Sequence, residues 1–131
     1  MTNKPARRKV LVIDDEQDLL EALSELLEKA GYRAICAANG ADGVRLNEQE
    51  NPDIIVLDLR MPGMDGIETL RRIREHDREV SVVILTANGS TDTIRDAVGL
   101  AVSDYLSKPF ENGEFIDLIG DLLWRRMVVR K

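Results

Sequence analysis

Two hydrophobic rhythms alternate along this chain. Short stretches rich in apolar residues, bounded by turn residues, cover residues 9–13, 32–37, 53–57, 80–85 and 102–107, and the apolar run is unbroken over 10–13, 54–57 and 82–85. Runs of that length are strands, and unbroken ones belong to strands buried on both faces, as in a parallel sheet. Between them apolar residues recur at three- and four-residue intervals, which predicts helices over 16–30, 40–49, 66–76, 91–100 and 112–129. The first helix is the plainest. Leu19, Leu20, Leu23, Leu26, Leu27 and Ala30 form one stripe, and Gly31 is placed to stop it. The helix over 40–49 is the least marked: Val44 and Leu46 are its main apolar residues, and Gly43 lowers its propensity. Asn51-Pro52 ends it. The helix over 66–76 buries Ile67, Leu70 and Ile73 and leaves Arg71, Arg72, Arg74 and Glu75 off that face. The last helix buries Phe115, Leu118, Ile119, Leu122 and Leu123. Trp124 and Met127 carry apolar surface beyond what a core helix needs.

Five strands alternating with five helices call for an α/β fold: a doubly wound five-stranded parallel sheet covered on both faces, with right-handed crossovers. The flavodoxin-like strand order 2-1-3-4-5 meets the pattern and places the first strand beside the third at a topological switch point. The run over 32–37 is less apolar and is expected at a sheet edge, with Cys36 as a small core residue. Residues 1–8 read as a flexible arm, 9–124 as the domain, and 125–131 as an extension of the last helix. That extension leads toward an output domain or covers a dimer seam.

Composition narrows the function. With 131 residues, 44% of them apolar, the chain can hold a core without staples. The 24 acidic against 18 basic residues give a net charge of −6, which argues against direct nucleic-acid binding. One cysteine excludes an internal disulfide. No run approaches a membrane span. A cytoplasmic protein without membrane contact is expected. His76, the only histidine, lies at a polar helix end and is read as exposed.

The chemistry gathers where the strands end. The first strand runs into Asp14-Asp15-Glu16, and the third runs straight into Asp58, followed by Leu59-Arg60-Met61-Pro62-Gly63-Met64-Asp65-Gly66. At the carboxyl edge of an open α/β sheet, where ligands bind, Asp58 reads as a nucleophile, a metal ligand, or a turn-capping residue. Thr86 follows the fourth strand and Lys108 the fifth. Clustered carboxylates call for a cation, and an all-oxygen donor set suits Mg²⁺ or Mn²⁺. A lysine and a hydroxyl beside it would cradle a phosphoryl group. No general base stands ready for rapid turnover, which points to a site that accepts a phosphoryl group and keeps it for a time.

On four motifs the chain resembles the receiver domains of two-component response regulators. They are Val-Ile-Asp14-Asp15-Glu16, Val-Leu-Asp58-Leu-Arg-Met-Pro-Gly-Met-Asp-Gly66, Leu-Thr86-Ala87, and Asp104-Tyr105-Leu-Ser-Lys108-Pro109-Phe110. The resemblance spans roughly residues 9–123. It implies that Asp58 takes a phosphoryl group from a phosphohistidine of a sensor histidine kinase or phosphotransfer protein. It implies a Mg²⁺ site of Asp14, Asp15, Asp58 and the Arg60 backbone carbonyl. Lys108 and Thr86 would hold phosphoryl oxygens, Ala87 would leave access, and Tyr105 would turn inward when Thr86 moves. The surface of the fourth helix, fifth strand and fifth helix would then change, to act on a partner or output domain or to form a homodimer. The Lys108-Pro109 bond would be cis. Asp65 reads instead as a helix cap.

The chain departs from the family pattern in three places. Leu100-Ala101-Val102-Ser103 replaces a commoner Ala-Gly-Ala run. If Ala101 must adopt a left-handed helix-ending geometry, it costs on the order of 1 kcal/mol relative to glycine. Arg60 and Asn88 each lie two residues past a site residue and would border the phosphoryl group, with Arg60 shielding it from water. The last helix runs on through Trp124, Arg125, Arg126 and Met127. Two rival functions are a Mg²⁺-dependent phosphatase with an aspartyl-phosphate intermediate, and a phosphorylation-independent interaction module. The first is disfavoured because the acids of the first strand lack the usual Asp-x-Asp spacing. The second is disfavoured because every phosphoryl-site residue is present. The expectation is a switch, not an enzyme.

Overall fold

A computed structural model describes residues 7–60, 65–87, 97 and 99–129. In chain order the elements are β1 (Lys9–Ile13), α1 (Gln17–Lys29), β2 (Arg33–Ala37), α2 (Gly40–Glu50), β3 (Ile54–Asp58), α3 (Gly66–His76), β4 (Ser81–Ala87), β5 (Asp104–Lys108) and α4 (Asn112–Val129). The five strands are parallel in the order β2-β1-β3-β4-β5, as the pattern predicts, with β2 and β5 at the edges. The helix expected over 91–100 lies almost wholly outside the described residues, as do Asn88 and residues 61–64 of the β3–α3 loop.

Strand alternation sorts the core into two layers. Val10, Val12, Ile54, Val56, Val83 and Leu85 face α1 and α4, where Leu20, Leu23, Leu27, Phe115 and Ile119 close over them. Leu11, Ile13, Ile55, Leu57, Val82 and Ile84 face the other way, toward Leu70 and Ile73 of α3. Central strands are buried on both faces, which is why their sequences show unbroken apolar runs rather than alternation.

Helix ends follow local chemistry. Gly31 takes φ 96° just past α1, and Asn51 takes φ 49° just past α2. The Asp65 carboxylate caps α3 by accepting the Glu68 N–H at 2.9 Å. Gly66 is required by close approach: a Cβ there would overlap Leu59 Cα and lie 2.8 Å from the Asp58 carbonyl oxygen. Helix α3 can therefore start directly beneath the end of β3.

Some expectations shift. β4 continues through Thr86 and Ala87 because both pair with β5. β5 begins at Asp104 rather than at 102, because Ala101 adopts φ 57° and turns the chain just before it. Cys36 is not in the core: β2 is covered along one edge only, and the residue is exposed, its thiol 3.8 Å from the Leu20 carbonyl. Arg74 lies on the buried face of α3, four residues after Leu70. Asn47 is also buried, and among the described residues neither atom of its amide has a hydrogen-bond partner.

Candidate functional site

The carboxyl ends of β1, β3, β4 and β5 bring Asp14, Asp58, Thr86 and Lys108 to one side of the sheet. Asp14 follows β1 directly and is fully buried. Its N–H donates to the Ala37 carbonyl at 3.1 Å, which fixes its backbone to β2. Its Oδ1 accepts the Glu16 N–H at 2.9 Å and its Oδ2 accepts Lys108 Nζ at 3.1 Å. Asp58, the last residue of β3, is also buried. Its Oδ1 accepts the Arg60 N–H at 2.9 Å, and its Oδ2 accepts Lys108 Nζ at 3.2 Å. One ammonium thus bridges two buried carboxylates, with Glu16 Oε1 as a third partner at 3.5 Å.

The electrostatics follow from burial. Burial pushes the Asp14 carboxyl above its ordinary value of 3.8, and the Asp58 charge adds to it. The Glu16 N–H and Lys108 offset part of this rise. Burial works against the Lys108 charge, but Asp14 and Asp58 outweigh it and hold the ammonium above 10.5.

Ligand atoms of Asp14, Glu16 and Asp58 all lie within 4.8 Å of one another, among the described residues the one such group. Hard carboxylate oxygens at that spacing fit a small divalent cation. Asp15, expected as a ligand, is exposed and outside this group, and Glu16 stands in it instead. The run of three acids was the signal for Glu16, but sequence alone cannot choose among neighbours on a turn.

Thr86 is buried and pairs with Ser107, while Tyr105 pairs with Ile84. By alternation Thr86 falls on the Ile84 face, and half-buried Tyr105 packs in that same core layer. Ala87 lies opposite Lys108 in the register. The Lys108-Pro109 peptide bond is cis, as the resemblance implies. Arg60 is exposed beside Asp58. Beside Lys108 opens a cavity of about 420 Å³ with Leu19, Ala22, Leu23 and Phe110 in its wall.

Comparison with known proteins agrees with this geometry. The family model for the response regulator receiver domain matches residues 10–120. Sporulation initiation phosphotransferase F of Bacillus subtilis is 37% identical over 115 residues, covering 88% of this chain and 93% of that protein. A response regulator receiver domain protein from Clostridium thermocellum superposes with a TM-score of 0.86 at 29% identity, covering 93% of this chain and 98% of the other. The chemotaxis protein CheY4 of Vibrio cholerae superposes at 0.84 with 25% identity, covering 89% and 99%. No helix among the described residues is long and apolar enough to cross a membrane. With the family match running from the first strand into the last helix, this chain belongs to the response regulator receiver domain family.

Proposed function

We propose that the chain is a phosphorylation switch whose acceptor is Asp58. The observation that carries this reading is the Lys108 ammonium bridging buried Asp58 and Asp14. An Asp58 oxygen attacks the phosphorus of a phosphohistidine on a sensor kinase or phosphotransfer protein. The P–O bond forms as the P–N bond breaks, and the imidazole leaves. Lys108 then exchanges a carboxylate partner for a phosphoryl oxygen. A Mg²⁺ ion, or Mn²⁺, held by Asp14, Asp58 and further oxygens from Asp15, the Arg60 carbonyl or Glu16, would neutralise charge between the acids and the phosphoryl group.

Phosphorylation adds about −1.5 to −2 charges at Asp58. Thr86 is drawn to the new oxygens, space opens for Tyr105 in their shared core layer, and the β5–α4 surface shifts its population toward an output-competent form. A partner, an output domain or a second copy reads that surface. Similarity to a sporulation phosphotransferase supports a phosphorelay in which Asp58 also passes the group on. The apolar cavity beside Lys108 is a natural seat for the donor protein.

The test is incubation with acetyl phosphate, with and without Mg²⁺, read by intact mass. Wild type gains one phosphoryl group only with Mg²⁺, and Asp58→Ala gains none. Equal gain in the variant would move the acceptor elsewhere.

A further inference from the structure

Lys108 reaches the acids from an edge strand that specifies its own register weakly. β5 pairs with β4 alone, and of its five residues only Leu106 is fully buried. A strand whose buried pattern is that sparse can slip, and a one-residue slip sends every side chain to the opposite face. Lys108 would then point away from Asp14 and Asp58. What fixes the start of β5 therefore matters to the site at its other end.

Arg74 provides that fixed point. Its guanidinium is buried near the far end of the sheet and donates to four backbone carbonyls. Nε reaches Leu100 at 2.8 Å, and Nη2 reaches Ala101 at 2.8 Å. Nη1 reaches Val80 at 2.7 Å and Asp77 at 3.2 Å. One planar fork thus ties the turn that leads into β4 to the segment that leads into β5. That segment is unusual: Gly99 takes φ 91° and Ala101 φ 57°, so two left-handed residues flank Leu100 and turn both carbonyls onto the fork. Immediately after it, Ser103 docks on β4, donating its N–H to the Val82 carbonyl at 2.8 Å and accepting the Val82 N–H on Oγ at 3.0 Å. The paired register starts at the next residue, with Asp104 opposite Val83.

We infer that Arg74 is a positioning residue for Lys108: by gripping the Leu100 and Ala101 carbonyls it sets where β5 begins on β4 and so delivers the ammonium to Asp14 and Asp58. A lysine cannot replace it, because a single ammonium does not span carbonyls from two separate segments in one plane. The effect on phosphoryl uptake rests on the reading of Asp58 as acceptor, but the effect on β5 does not.

The test compares wild type, Arg74→Met, Arg74→Lys and the double variant Arg74→Met with Ala101→Gly. Two quantities are read well below the unfolding midpoint: NMR shifts of the β5 amides and the Lys108 side chain without phosphodonor, and the rate of Mg²⁺-dependent uptake from acetyl phosphate. In Arg74→Met the β5 amides and Lys108 shift while β1 and β3 do not, and uptake slows about tenfold or more. Arg74→Lys shows the same changes in part, and it decides the matter should the methionine variant not fold. Glycine accepts the left-handed turn without the grip, so the double variant regains wild-type β5 shifts and most of the rate. Wild-type Lys108 and β5 shifts in a folded Arg74 variant, with only a lower melting temperature, overturn the inference. Failure of wild type to take up phosphoryl would overturn the acceptor reading and leave the NMR comparison to judge Arg74.

Discussion

Lys108 Nζ lies 3.2 Å from Asp58 Oδ2 although their strands are not neighbours: β4 runs between β3 and β5. The lysine spans the end of β4 and reaches Asp14 on β1 as well. This crossing makes the site a property of the whole sheet edge.

Removing the ammonium leaves two buried carboxylates facing each other. Lys108→Met is expected to lower stability at neutral pH by about 1–3 kcal/mol, the usual cost of leaving buried acceptors without their hydrogen-bond donor. The deficit should shrink on acidification as the raised Asp14 carboxyl protonates. Urea denaturation at pH 7 and pH 4 measures both. Acetyl phosphate should no longer give a stable phosphoryl adduct.

The raised Asp14 carboxyl predicts a pH trend of definite sign. Its folded value stands above the ordinary 3.8, so between those two values the folded chain holds a proton that the unfolded chain has lost. Stability therefore falls as pH rises through that window. Asp14→Asn removes the charge without changing the shape, so it should be more stable than wild type above the window and lose that advantage below pH 3.8. A denaturation series from pH 3 to pH 7 reads it directly. An unchanged difference across the series would contradict the assignment.

Asn47 is buried in α2, and among the described residues neither of its amide atoms has a partner. Unpaired buried polar groups cost about 1–3 kcal/mol each relative to satisfied or apolar ones. Asn47→Leu keeps the branched heavy-atom shape with bulkier methyl groups and should raise stability by about 1 kcal/mol, the gain from removing the unpaired amide exceeding the cost of the added bulk. Thermal unfolding checks it, and a drop in the midpoint would mean that the amide has a partner after all.

Ala101 holds a left-handed conformation at φ 57°. A Cβ in that region costs on the order of 1 kcal/mol, so Ala101→Gly should stabilise the protein despite the extra freedom it gives the unfolded chain. Chemical denaturation of the single variant is sufficient.

Arg60 is exposed two residues past Asp58 and its N–H already binds the Asp58 carboxylate. If its side chain screens an acyl phosphate from water, Arg60→Ala should shorten the phosphoryl lifetime several-fold while leaving uptake unchanged. Loss of the mass increment after removal of donor gives the lifetime, and an equal rate would sink the idea.

Much of this was legible in the residue pattern. Unbroken apolar runs announced strands buried on both faces, helical spacing announced their covers, and Gly31, Asn51 and Asp65 announced helix boundaries through local chemistry that acts within a few residues. The acids at strand ends and Lys108 were legible too, because a parallel sheet turns all its carboxyl ends to one side. The residue pattern misleads at Arg74, where charge suggests exposure but the side chain is buried. Its spacing of four from Leu70 placed it on the buried face, but only the carbonyls of 77, 80, 100 and 101 could make that burial tolerable, and they come from elsewhere in the chain.

The sequence by itself determined the α/β class, the order of elements and which strand ends carry the acids, the hydroxyl and the lysine, since each depends on periodicity or on residues adjacent in the chain. Tertiary structure alone decided that Glu16 rather than Asp15 joins the close carboxylates, that Cys36 is exposed, and that Asn47 and Arg74 are buried. Each of those outcomes rests on atoms brought together from distant segments, and the energy of a polar group is set by those neighbours rather than by its place in the chain.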